Sequence, residues 1–165
     1  MKNIMTYREH VSESKGYDPA EASSWLDSRL LSAVNYHDIK HWLDSGASVD
    51  ARDYEGDSAL AGIMSLRDDS LVKLFLDRGA NVNNESHNGD TPLKWAVNHN
   101  YKNGARMVIQ AGADPTKVFN NLDELFDFFD GDVYWISEDV IERLGTAEQI
   151  RRFKAESFGK KAFGI

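Results

Sequence analysis

Apolar positions in this chain recur at two spacings at once. Within short stretches they follow the three-and-four residue interval of an amphipathic helix, and the stretches themselves return 33 residues later. Trp42, Phe75 and Val108 form one such series, Leu43, Leu76 and Ile109 a second, and Ile39, Val72 and Ala105 a third. Leu60 and Leu93 keep the same interval, as do Val49 and Val82. Turn residues keep step with them: Gly46-Ala47, Gly79-Ala80 and Gly112-Ala113 are copies of one turn, and Gly56 and Gly89 copies of another. A period of this length marks one supersecondary unit stacked on copies of itself. Each unit reads as a pair of helices of roughly 8–10 residues, too short to persist alone in water, so each must bury a face on its neighbour.

Local signals place the elements. Thr91 is an N-cap in front of Pro92, where proline's fixed φ suits the first helical position and its missing N–H costs nothing. A second helix is predicted from Asn103 to Ala111, with Met107 and Val108 on its apolar side and Gly112 ending it in a left-handed turn. Upstream, Ile4, Tyr7 and Val11 have helical spacing within residues 3–14. Asp18-Pro19-Ala20-Glu21 then reads as a capping box that starts a helix reaching about Asn35, with Trp25, Leu26, Leu30 and Ala33 on its buried side. Downstream, Leu122, Leu125, Phe126 and Phe129 share a helix face that buries against the last repeat, and Phe128 points away from it. Thr146 caps a final helix to about Ser157, with Ile150 and Phe153 inside.

The units resemble the ankyrin repeat. Residues 86–113, SHNGDTPLKWAVNHNYKNGARMVIQAGA, hold the Gly-x-Thr-Pro-Leu helix start at Gly89, Thr91, Pro92 and Leu93 and the closing Gly112-Ala113. Residues 53–83, DYEGDSALAGIMSLRDDSLVKLFLDRGANVN, substitute Ser58-Ala59-Leu60 for Thr-Pro-Leu and keep the Gly-Ala-Asn-Val-Asn lead into a hairpin. Residues 30–50, LLSAVNYHDIKHWLDSGASVD, are a degenerate copy. The resemblance implies an all-α helix-turn-helix solenoid with short hairpin tips, organised as an N-terminal helical cap over 1–29, repeats over 30–117 and a divergent helical cap over 118–165.

It also implies a function. Ankyrin-like stacks bind proteins through a concave surface made of the hairpin tips and the exposed side of each first helix. By position that surface comprises Arg52, Tyr54 and Glu55, then Glu85, His87 and Asn88, with Ala61, Ser65, Lys94 and Asn98 from the helices. Tyr54 is the expected anchor, because a tip tyrosine brings contact area at small entropic cost. Trp95 stands 33 positions after Gly62, and its ring is expected to pack over that glycine on the adjacent repeat.

Composition narrows the classes. With 165 residues, 41% hydrophobic and 28% charged, the chain suits one globular domain with a continuous core. It has no apolar run approaching the length of a membrane span and no signal-like start, and it contains no cysteine, which together suggest a cytoplasmic protein. A net charge of −8 argues against general nucleic-acid binding, which needs a basic footprint. No phosphate-binding glycine loop, nucleophile elbow or metalloprotease motif is present, so neither enzyme activity nor a cofactor is expected. His37 and His41 share a helix face, but no Glu stands between them to complete a zinc-type motif, and they read as an ordinary helical pair.

Charge is unevenly placed. Residues 122–142 hold eight acidic side chains and no basic one, interleaved with aromatic residues, whereas Arg143, Arg151, Arg152, Lys154, Lys160 and Lys161 follow. The simpler expectation is that the basic tail lies along the acidic segment. The alternative is an acidic surface, including Asp127, Phe128 and Asp130, that mimics nucleic-acid charge and blocks its binder, or an exposed Phe128 or Trp135 that makes a homodimer. The leading expectation is a stoichiometric binder of one cytoplasmic protein, an inhibitor or adaptor that docks as a rigid body.

Overall fold

The computed structural model describes residues 27–132 and 134–153. A helix ends at Leu31, followed by α1 (Tyr36–Asp44), α2 (Ala59–Met64), α3 (Asp69–Asp77), α4 (Pro92–Asn98), α5 (Lys102–Gln110), a 3-10 turn (Pro115–Lys117), α6 (Leu122–Phe128) and α7 (Glu138–Leu144). A further helix begins after Thr146 and is described as far as Phe153. The helix expected within residues 3–14, the capping box at Asp18, Trp25 and Leu26, and the chain beyond Phe153 lie outside the described residues.

Side-chain caps open α2, α3, α4 and α6, the expected one at Thr91 among them, whereas the helix expected from Asn103 starts at Lys102 with no side-chain cap. Ser58 and Thr91 accept from the amides of Ala61 and Lys94, three residues on. Asp68 accepts from Ser70 and Leu71, and Asn121 from Glu124. Each such cap satisfies amides that the helix leaves without an internal acceptor. One boundary differs from expectation by more than a residue: the helix expected to reach about Asn35 stops at Leu31, because the Asn35 side chain accepts the Asp38 amide and caps α1 instead. A side chain committed as an N-cap holds an extended backbone and cannot continue the preceding helix.

The helix ends repeat as faithfully. Gly46, Gly79 and Gly112 are all left-handed, with φ of 104°, 78° and 98°. Behind each, the amide of the following alanine reaches five residues back: Ala47 to Trp42, Ala80 to Phe75 and Ala113 to Val108, at 3.0, 3.0 and 2.8 Å. These are the bonds of a Schellman end, and they fix the direction in which the chain leaves each helix.

Stacking is fixed by bonds between repeats as well as by packing. The amides of Ser48, Asn81 and Asp114, 33 apart, each donate to a side-chain oxygen: Asp27 at 2.7 Å, Asp50 at 2.9 Å and Asn83 at 2.8 Å. Two of these acceptors come from the hairpin before. α2 packs on α4, α3 on α5 and α1 on α3, so first helices form one layer and second helices another. Between the layers Leu60, Val72, Phe75, Leu93 and Val108 are completely buried, each contributing about 1.5–3 kcal/mol by leaving water.

The acidic segment continues this core. Leu122 and Leu125 are fully buried, and Phe129 nearly so. Phe128 does not point away as expected. It is half-buried, with its ring 4.8 Å from Phe129 and 5.8 Å from Phe119. Trp135 is also half-buried, edge-on to Phe129 at 4.8 Å and beneath the Arg106 guanidinium at 5.2 Å. Short helices leave gaps at the end of a stack, and these rings fill them.

Candidate functional site

The tips are two copies of one hairpin, and they are bolted together. In the first, Arg52 and Ser58 form an antiparallel bridge, and the Asp53 carboxylate accepts the Glu55 and Asp57 amides at 2.9 Å each. In the second, the Ser86 amide donates to the Asp90 carbonyl at 2.9 Å. Between them the His87 amide donates to the Glu55 carbonyl at 3.1 Å. The Arg52 guanidinium spans the same gap, donating to the Gly56 and Glu85 carbonyls at 2.8 and 2.7 Å and to Asn84 Oδ1 at 2.6 Å. Arg52 is thus a brace between tips. Glu85 is also engaged, with its carboxylate 3.1 Å from Lys117 Nζ.

Exposed on the braced tips are Tyr54, at 88%, and Glu55, His87 and Asn88, with the engaged Arg52 and Glu85 exposed beside them. The Glu55 carboxylate raises the Tyr54 phenol above its ordinary value, first by its charge and then by a hydrogen bond. His87 lies close over the neighbouring hairpin, since a Cβ placed on Gly56 would come 2.9 Å from its Cδ2. On the first helices, Asn98 is exposed and Lys94 is half-buried beside Asp90 in an ion pair. Ala61, expected outward, is buried at 1% exposure. Gly62 and Ser65 take the exposed positions on α2.

Trp95 departs furthest from expectation. Among the described residues a Cβ built on Gly62 would meet no atom within 4 Å, so the indole does not pack over that glycine. Its Nε1–H instead donates to Asp57 Oδ1 at 3.2 Å, and its face stacks on His99 at 5.4 Å between ring centroids, 7° from parallel. Drawn back this way, the ring leaves a groove of 280 Å³ whose floor includes Gly62 and Ile63. Val34 and Leu66 line it while remaining 72% and 38% exposed, and Asp53, Glu55 and Asp57 line it from the hairpin side. Burial lifts the Asp57 carboxyl above its usual range; the Trp95 bond opposes this, and the charges of Asp53, Asp90 and Glu55 add to it. Nothing in the motif spacing showed this groove. The available signal was a glycine in the interior of a helix, where it weakens the element unless space is needed.

Three carboxylates of the acidic segment, Asp123, Asp130 and Asp132, form ion pairs within the chain. Asp130 joins Lys102 and Asp132 joins Arg106, so the last repeat supplies the first cations. The tail adds Gln149 and Arg152 on Asp123 at 2.7 and 3.3 Å, and Arg143 on Asp114 at 2.5 Å. Burial pushes the Asp114 carboxyl up, but the Thr116 hydroxyl and amide together with Arg143 and Lys117 bring it below its ordinary value. Asp127 remains on the exposed side of α6. In α1, His37 is exposed and the His41 ring stands edge-on to Trp42 at 4.7 Å. Among the described residues no three His, Cys, Asp or Glu side chains converge as a metal site, and no helix is long and apolar enough to cross a membrane.

Comparison with curated proteins gave no match. A family model for ankyrin repeats matches residues 30–118 in three copies, the stretch that contains both braced hairpins, the Schellman ends and the stacked helix pairs. The chain therefore belongs to the ankyrin-repeat family and is an all-α repeat solenoid of the protein-binding kind.

Proposed function

We propose that this protein binds one cytoplasmic protein stoichiometrically, as an inhibitor or adaptor without enzymatic activity, through rigid docking of the hairpin tips and first helices. The observation that carries the reading is Tyr54, 88% exposed on a tip whose backbone is clamped to its neighbour by Arg52 and His87. A large exposed ring on a braced loop is the form of an anchor: it adds contact area at small ordering cost on binding. Glu55, His87, Asn88 and Asn98 are exposed and complete the proposed contact area, with the half-buried Lys94 beside them. Arg52 and Glu85, also exposed, brace it through their bonds to the second hairpin and to Lys117.

Internal pairing of Asp123, Asp130 and Asp132 leaves the acidic segment less net charge to offer, which weighs against a nucleic-acid mimic. The engaged rings of Phe128 and Trp135 weigh equally against self-association through them. Affinity capture from native lysate, comparing wild type with Tyr54→Ala and Asp127→Lys, tests the reading. One protein captured in equal amount and lost only with Tyr54→Ala supports it. Loss only with Asp127→Lys moves the site to the acidic cap. Asp130 is left unaltered in this test because its reversal would also repel Lys102.

A further inference from the structure

The groove beside Gly62 has three properties that belong together. Its floor is apolar and open: a helix-interior glycine costs about 1 kcal/mol relative to alanine, and no described atom requires the missing side chain. Val34 and Leu66 stay exposed along its side, where burial against the chain's own core would be favourable. The hairpin side ends in Asp53, Glu55 and Asp57. Two cations of these repeats are engaged elsewhere: Arg52 donates to the Gly56 and Glu85 carbonyls and to Asn84, and Lys94 is paired with Asp90. Asp57, 8% exposed, has its Oδ1 held by Trp95, and the like charges around it raise its carboxyl further.

We propose that this groove receives a segment of the protein partner in which one apolar side chain stands next to a lysine or arginine. The apolar side chain fills the space over Gly62, against Ile63 and the Trp95 edge. The cation meets the carboxylates of Asp53, Glu55 and Asp57. An apolar cavity of ~150 Å³ holds one benzene-sized ring, so 280 Å³ admits one aromatic or a pair of aliphatic side chains. Next to a half-enclosed apolar wall, a cation paired with carboxylates interacts more strongly than it would in open water. The proposal rests on the reading of the tips and first helices as the docking surface, and it specifies what that surface selects.

Selection of a displayed random peptide library on the full-length protein tests it. Enriched peptides are expected to combine a basic residue with a neighbouring Leu, Met, Phe or Trp. They should lose at least about tenfold in affinity with Gly62→Leu and again with the double variant Asp53→Asn/Glu55→Gln, each such loss corresponding to about 1.4 kcal/mol. They should also shift the Trp95 indole N–H resonance. Gly62→Leu must keep or raise the thermal midpoint; a fall would show that the folded chain itself fills the groove and overturns the proposal. Peptides that lack a basic residue, or none enriched, overturn it too. Peptides indifferent to Gly62→Leu but lost with Tyr54→Ala refute the groove while leaving the tip surface standing.

Discussion

Two helix-interior glycines should answer one substitution in opposite directions. Gly62 lies in α2 and Gly104 in α5, and alanine gains about 0.8–1.0 kcal/mol of helix propensity at either. Over Gly62 the added methyl meets no described atom within 4 Å, so the gain is kept. Gly62→Ala is expected to stabilise the protein by about 1 kcal/mol, which raises the thermal midpoint by roughly 2–4 °C for a chain of this length. At Gly104 the same methyl would lie 2.2 Å from Tyr101 Cε1 and 2.3 Å from Cδ1. That ring cannot yield easily, because it is 4% exposed and its hydroxyl donates to Asp69 on the preceding repeat. Overpacking typically costs about 1–3 kcal/mol. Set against the propensity gain, and with the ring held at its far end, Gly104→Ala should destabilise by about 1–2 kcal/mol net. The two variants then differ by about 2–3 kcal/mol, or roughly 4–12 °C in midpoint. Thermal and urea denaturation followed by circular dichroism reads this directly. A midpoint for Gly62→Ala equal to or below wild type would refute the open space over that residue. A stabilising Gly104→Ala would refute the tight Tyr101 contact.

Asp57→Asn keeps an oxygen for the Trp95 N–H and removes a carboxylate that burial makes easier to protonate in the folded state. A carboxyl with a raised folded pKa stabilises below its unfolded value and loses that contribution as pH rises through the folded one. The variant should therefore be more stable than wild type at pH 7, with the difference vanishing below its ordinary value of 3.8, as urea titrations at several pH values would show. Arg52→Ala removes the brace between hairpins and should cost about 1–2 kcal/mol. It should also speed hydrogen exchange at the His87 amide; unchanged exchange there would mean that the tips hold without it. Phe75→Ala, at the centre of the stack, should cost about 3–5 kcal/mol, and Leu125→Ala in the acidic segment about 2–5 kcal/mol. A cost below about 1 kcal/mol for Leu125→Ala would mean that this segment is not part of the common core.

Much of the tip surface was legible because backbone geometry repeats with the chain. Tyr54, His87 and Asn88 occupy hairpin positions set by Gly56 and Gly89, and a turn residue's exposure follows from the turn. Side chains that reach across repeats were not legible. Arg52 is exposed as expected, and what its position did not reveal is that its length lets it bond the following hairpin, where it satisfies tip carbonyls. Ala61 and Gly62 show the limit of helical periodicity over only six residues: a rotation smaller than one residue's angular step decides which of the two faces out.

Read without coordinates, the chain already specifies its period, its helix caps and its left-handed ends. These rest on interactions within a few residues, such as Thr91 with the Lys94 amide or Gly112 at a φ that side chains resist. Stacking follows, since half-apolar helix pairs have no other way to leave water. The charge of the acidic segment was decided elsewhere. Lys102 and Arg106 neutralise Asp130 and Asp132 only because the cap docks on α5 at that angle. The groove over Gly62 was decided the same way, when Trp95 turned to Asp57 and His99, residues 38 positions before it and 4 after it, and left space behind. Local preferences set the elements, but which long side chain meets which partner depends on distances between repeats that exist only once the stack is formed.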